Sequence, residues 1–189
     1  ARSKIHLFFA TRQTGKLPEL ADAAAAAVDA AAVVGVGTMG TGIAQALLAA
    51  GVRVTLLDQD EATVQKGLQR IRSALEKRAA DGKLPRERAE RMIALLSATS
   101  HWQDAAEVGL VVESVFEDPN VKRSVLKQLE AVCSPDAILA TNTSTISLDE
   151  LAAGLSHPDR LMGLHFFNPA QRMPLVEVIR RETTPPQTL

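Results

Sequence analysis

The chain has 189 residues, 46% of them hydrophobic, with 21 basic and 22 acidic side chains for a net charge of −1. That supplies one domain with a proper core, and the charge balance offers no field that would draw nucleic acid or an anionic membrane. The single cysteine, Cys133, excludes an internal disulfide, and Asp22 and Asp29 break the alanine-rich stretch before it reaches membrane-spanning length.

Residues 1–29 differ in texture from the rest of the chain. Arg2 and Lys4 precede an apolar patch, Ile5 to Ala10, too brief for a secretory signal. Lys16-Leu17-Pro18 reads as a break, and Ala21 to Ala30 as helix or flexible linker. The segment is either a linker from a preceding domain or an N-terminal arm. With Ala1 in place of methionine, the chain reads as a piece of something longer.

From Ala30 the pattern is regular. Ala30 to Val36 is a continuous apolar run, as in a strand buried on both faces. Met39, Ile43 and Leu47 mark a helix that Gly51 stops, and Val52 to Leu57 is a second strand. Val64, Leu68, Ile71 and Leu75 stripe a long amphipathic helix whose other face carries Lys66, Arg70, Lys77 and Arg78. Pro85 can open a helix with Met92, Ile93 and Leu96 on its apolar side, and Leu96 to Thr99 is a short strand. Gly109 to Phe116 is a further strand. Pro119 opens a helix with expected core positions Val121, Val125, Leu129 and Val132. Ala137 to Ala140 is a strand, and Ser147 with Glu150 can box the start of a helix from Leu148 to Leu155. Leu161 to Phe167 and Leu175 to Ile179 complete the strands. The alternation predicts an α/β fold with a mostly parallel sheet covered by helices on both faces. Cys133 and Trp102 read as packing residues, and no metal-ligand cluster stands out.

Gly35, Gly37 and Gly40 stand between a strand and a helix, where each has a distinct task. The first permits a tight turn, the second lets the backbone approach a diphosphate, and the third lets helix and strand pack closely. Free amides at the helix start favour the phosphate charge. Gly35, Gly37, Thr38, Met39 and Gly40 are therefore the expected diphosphate cradle of a doubly wound, Rossmann-type domain. Asp58 ends the next strand, about 20 residues on, where a carboxylate bonds the adenosine ribose and repels a 2′-phosphate. Gln59 and Asp60 come next, with no arginine, so NAD is expected rather than NADP.

His165 ends a strand, the side of a parallel sheet where ligands bind. Glu177 lies within the apolar run Leu175 to Ile179, and a buried carboxylate there would need a partner. A His–Glu pair would fix the imidazole tautomer and raise its basicity. On pattern alone the pair is equally readable as structural or catalytic.

The run Gly35 to Ala49, the segment Val111-Val-Glu-Ser-Val-Phe-Glu117, Ala140-Thr-Asn-Thr-Ser144, His165-Phe-Phe-Asn-Pro169 and Leu175-Val-Glu-Val-Ile179 occur in this order. Together they resemble the L-3-hydroxyacyl-CoA dehydrogenase family of fatty-acid β-oxidation. The resemblance implies that His165 is the general base, Glu177 its carboxylate partner and Ser144 the hydroxyl on the substrate 3-oxygen. It places Asn142 near the nicotinamide, with Glu117 and Lys122 flanking the nicotinamide-side ribose. It implies an NAD-binding domain over residues 30–182, with 183–189 as the hinge to a helical C-terminal domain that completes the active site and carries dimer contacts. This piece alone would then bind NAD(H) and turn over little substrate. Phe8-Phe-Ala-Thr-Arg12 with Lys16-Leu-Pro18 is similar to the connector after the enoyl-CoA hydratase part of multifunctional proteins, so the parent is expected to be fused and homo-oligomeric. Its compartment would be the cytoplasm of a bacterium, or a peroxisome or mitochondrion of a eukaryote. The basic helix face is either solvated or meets the CoA phosphates. Two alternatives stand beside this reading: a related dehydrogenase of a sugar acid such as L-gulonate, and a non-catalytic NAD-binding structural protein.

Overall fold

A computed structural model of the chain describes residues 27–188; the linker expected over residues 1–29 lies, but for its last three residues, outside them. The strands are β1 (Ala30–Val34), β2 (Arg53–Leu57), β3 (Leu96–Thr99), β4 (Leu110–Glu113), β5 (Ile138–Thr141), β6 (Leu161–Phe166) and β7 (Val176–Ile179). The helices are α1 (Thr38–Ala49), α2 (Glu61–Ala80), α3 (Arg86–Ala94), α4 (Pro119–Val132) and α5 (Leu148–Ala152). The strands form one sheet in the order β3-β2-β1-β4-β5-β6-β7. Every neighbouring pair is parallel except β6 and β7.

Both faces of the sheet are buried, and β1 shows how. Ala31 and Val33 pack with Ile43 and Leu48 of α1 and with Val64, Ile71 and Leu75 of α2. Ala32 and Val34 pack on the opposite face with Leu126 and Leu129 of α4 and Leu151 of α5. A strand sandwiched this way must be apolar at every position, which is why the run is legible as a strand. Trp102 and Cys133 belong to this second cluster.

Three expectations shift, each for an identifiable reason. The strand expected over 109–116 stops at Glu113, because that residue's own carboxylate captures the Val115 amide at 2.7 Å and turns the chain out of the ladder. Phe116 is left 78% exposed. The buried stripe of α4 is Lys122, Leu126 and Leu129 rather than one containing Val121, which is 40% exposed. Lys122 is drawn inward by Glu113, 2.9 Å away, and the helix turns with it. Helix α5 ends at Ala152, not Leu155, since Ala153 is extended and Gly154 adopts a φ of 93°. At the chain's end, expected to be a hinge, Pro186–Thr188 forms a 3-10 turn, and the Thr188 hydroxyl donates to the Asp159 carbonyl at 3.2 Å.

The strand order reverses at β1, which lies between β2 and β4. The crevice beyond the ends of β1 and β4 is the position where such sheets take their ligands.

Candidate active site

The turn after β1 is shaped by its glycines. Gly35 has a φ of 93°, and a Cβ on it would stand 2.6 Å from the Ser114 carbonyl oxygen. A Cβ on Gly40 would be driven into the Gly35 carbonyl, so helix and turn can close only around a hydrogen. Gly37 differs: a Cβ there would meet no protein atom within 4 Å. It is also the N-cap of α1, with no side chain capping the helix. The first amides of α1 therefore face the open side of the turn without a side-chain acceptor, as an anionic diphosphate requires. Asp58, at the end of β2, is anchored to the same turn. It accepts from the Val36 amide at 3.0 Å and from the Gln59 amide at 2.9 Å. A carboxylate has further lone pairs for ribose hydroxyls beyond these two bonds. The residues present thus fit a dinucleotide.

Beyond the ends of β4, β5 and β6 lies a cleft of about 400 Å³ lined by Met39, Glu117, Asn142, Ser144, His165 and Phe167, among others. His165 and Glu177 face each other directly in the register of β6 and β7. The imidazole Nδ1 lies 2.7 Å from Glu177 Oε2, and Phe167 packs against the ring with centroids 4.8 Å apart. Glu177 belongs to an apolar run in sequence, yet its side chain is 51% exposed, because β7 is the sheet's edge. Asn142 is held on both sides: its amide donates to the Glu113 carbonyl and its Oδ1 accepts from Phe166, each at 2.8 Å.

Glu117 hangs under the turn that carries Ser144. It accepts from the Thr143 hydroxyl, from the Ser144 amide at 3.2 Å and from the Thr145 hydroxyl at 3.4 Å. Burial pushes its pKa up, but the Thr143 hydroxyl, the Lys122 ammonium and the Ser144 amide together outweigh that and hold it below the ordinary 4.5. The resemblance places Lys122 at the ribose, but its side chain is wholly enclosed. It reaches Glu113 Oε1 at 2.9 Å, Glu117 Oε2 at 3.2 Å and the Val115 carbonyl at 3.4 Å. In this structure Lys122 lies beneath the cleft surface and holds Glu117. Glu113 and Thr143 are site residues that sequence reasoning passes over. A carboxylate ending the apolar run Leu110-Val-Val-Glu113 is the same signal that singles out Glu177, and it applies here too.

A second cleft, about 750 Å³, runs between α1, α2 and the segment after β6. Arg70, Lys77, Arg78, Lys83 and Arg172 line it, with Asp81 the acidic member. Lys66, also on the basic helix, is not part of this lining.

A glycine turn at a strand-order reversal, a carboxylate at the end of the second strand and a paired imidazole in the neighbouring cleft define a dinucleotide-binding dehydrogenase domain. The chain belongs to the family described as 3-hydroxyacyl-CoA dehydrogenase, NAD binding domain, which matches residues 30–189. It is 36% identical over 191 aligned positions to a peroxisomal fatty acid beta-oxidation multifunctional protein of Arabidopsis thaliana, with all of this chain and 26% of that protein covered. It is 41% identical over 159 residues to a 3-hydroxybutyryl-CoA dehydrogenase of Mycobacterium tuberculosis, covering 84% of this chain and 56% of that one. The structure of (S)-3-hydroxybutyryl-CoA dehydrogenase from Ralstonia eutropha superposes with a TM-score of 0.81 at 36% identity, over 86% of this chain and 57% of that chain. The chain thus spans about a quarter of the length of the multifunctional relatives. Its relatives include peroxisomal plant proteins and bacterial proteins. No described helix is long and apolar enough to cross a membrane.

Proposed function

We propose that this chain is the NAD(H)-binding half of an enzyme that oxidises L-3-hydroxyacyl-CoA to 3-oxoacyl-CoA. The observation that carries the reading is the His165–Glu177 contact of 2.7 Å, next to a cleft that His165 shares with Ser144, Asn142 and Glu117. With Nδ1 engaged by Glu177, Nε2 of His165 takes the proton of the 3-hydroxyl; an imidazole suits this because its unperturbed pKa lies near 6.5. Glu177 stabilises the imidazolium so formed. The Ser144 hydroxyl holds the 3-oxygen in line. Bound NAD+ supplies the acceptor for the hydride leaving C3, so the substrate gives up one hydride and one proton in all. The turn from Gly35 to Gly40, with Thr38 and Met39 at the helix start, would hold the diphosphate, and Asp58 with Gln59 would hold the adenosine ribose. The basic cleft of Arg70, Lys77, Arg78, Lys83 and Arg172 supports a CoA substrate, since three phosphates need cationic partners. The greater length of the multifunctional relatives supports further domains beyond this one, and we take one of them to complete the substrate site and another to be a fused hydratase.

The test is His165→Ala in the full-length protein. Oxidation of 3-hydroxybutyryl-CoA should fall by roughly two to four orders of magnitude, the usual worth of a positioned base, while NADH affinity stays within about twofold. Near-normal turnover would discard the assignment. Preference for L-gulonate over 3-hydroxybutyryl-CoA would replace the substrate class and leave the NAD site standing.

A further inference from the structure

At the cleft wall and beneath it, two carboxylates and one ammonium are joined by hydrogen bonds. Glu113 accepts from three donors: the Val115 amide at 2.7 Å, Lys122 Nζ at 2.9 Å and the Thr141 hydroxyl at 2.7 Å. A carboxylate with no proton of its own suits that arrangement. Lys122 Nζ has three acceptors, Glu113, Glu117 and the Val115 carbonyl, one for each proton of an ammonium. The side chains of Glu113 and Lys122 are fully buried, whereas that of Glu117 is 39% exposed and lines the cleft. Lys122 can neutralise only one of its two partners. Glu113 takes up its charge inside the protein, and one negative charge is left over at the cleft wall.

We infer that this surplus charge biases the cleft toward the oxidised cofactor, and that buried Glu113, which touches no ligand surface, sets the bias by occupying Lys122. The inference rests on reading the cleft as the nicotinamide end of the cofactor site. The nicotinamide ring is cationic in NAD+ and neutral in NADH, so a fixed negative charge discriminates between them. The cleft holds about 400 Å³, so a ring inside it would stand on the order of 7 Å from a charge on its wall. Over that distance one unit charge shifts the affinity ratio about threefold at the dielectric of water and about fiftyfold at that of a protein surface.

The experiment measures the dissociation constants of NAD+ and NADH for this chain and three variants, by calorimetry at pH 7.5. Glu117→Gln removes the exposed carboxylate, and Glu113→Gln removes the buried one. Each cancels the surplus, so each should raise Kd(NAD+) relative to Kd(NADH) by at least about threefold. Glu117→Asp keeps the charge while disturbing the contacts, and should leave the ratio within about twofold of the parent even if both affinities drop. A role confined to holding the fold would weaken both ligands together and leave every ratio unmoved. If Glu113→Gln does not fold, the two Glu117 variants decide. An unchanged ratio in the Gln variants, with the parent binding both ligands, overturns the charge bias alone. Failure of the parent to bind either ligand overturns the cofactor reading and this inference with it.

Discussion

A methyl group on Gly37 would meet no protein atom, whereas one on Gly40 would be forced into the Gly35 carbonyl. The two substitutions should therefore fail in opposite ways. Gly37→Ala should melt within about 2 °C of the parent yet lose at least roughly tenfold in NADH affinity, because its new methyl occupies diphosphate space. Gly40→Ala should lose about 1–3 kcal/mol of stability by overpacking, seen as a lower Tm whether or not cofactor is added. Equal melting temperatures for the two would contradict the geometry. Glu117 gives a residue-scale prediction in pH. Its folded pKa is lowered, chiefly by Thr143 and Lys122 acting against burial. Its contribution to stability is thus fully present above its ordinary value, 4.5, and vanishes as pH falls through the lower folded value. The Tm gap between the parent and Glu117→Gln should be open at pH 6 and narrow toward pH 3. A gap that widens on acidification would mean that the carboxylate is not held ionised by its partners.

Helix α4 shows what an element's sequence conceals. Valine periodicity suggests that Val121 faces the core, but the pull of Glu113 on Lys122 turns the helix, and Val121 stays 40% exposed. Lys122→Ala should cost about 3–5 kcal/mol, since it leaves a buried carboxylate without its counter-charge. Val121→Ala should stay within about 0.5 kcal/mol. Urea denaturation of both variants checks the order, which the valine pattern alone would reverse. Strand β1 is legible because two buried faces demand an unbroken apolar run. Helices α1 and α2 are legible because Ile43 of the first and Val64, Ile71 and Leu75 of the second pack on one face of the sheet. The end of β4 and the stripe of α4 are not, because both depend on a contact between Glu113 and Lys122 that periodicity does not see. In the site, the glycine turn, Asp58, His165 and Glu177 can be singled out from local pattern. The seat of Glu117 under the Thr143–Ser144 turn cannot, since it joins segments that only the sheet order brings together.

On the scale of the molecule, the sheet has two functional ends of unequal completeness. The glycine turn and Asp58 are walled by α1, β2 and β4. His165 and Glu177, by contrast, sit at the outermost pair of strands, with Leu175, Val178 and Ile179 of that border 48%, 52% and 38% exposed. This chain should accordingly bind NADH with ordinary affinity while oxidising 3-hydroxybutyryl-CoA far more slowly than its full-length parent. Calorimetry paired with a steady-state assay of both proteins measures the contrast, and comparable rates would show that the described residues suffice for catalysis.

The alignment of His165 and Glu177 is enforced by backbone pairing and not by loops. Because β6 and β7 run in opposite directions with His165 and Glu177 abreast, deleting one residue between Gln171 and Pro174 would slide the border strand by a single step. Val176 or Val178 would then stand across from the imidazole, and the acid would point to the reverse side of the sheet. The ladder's counting thus sets the spacing of the proposed proton-transfer pair, so length changes in that short connection should be tolerated only in steps that restore the match.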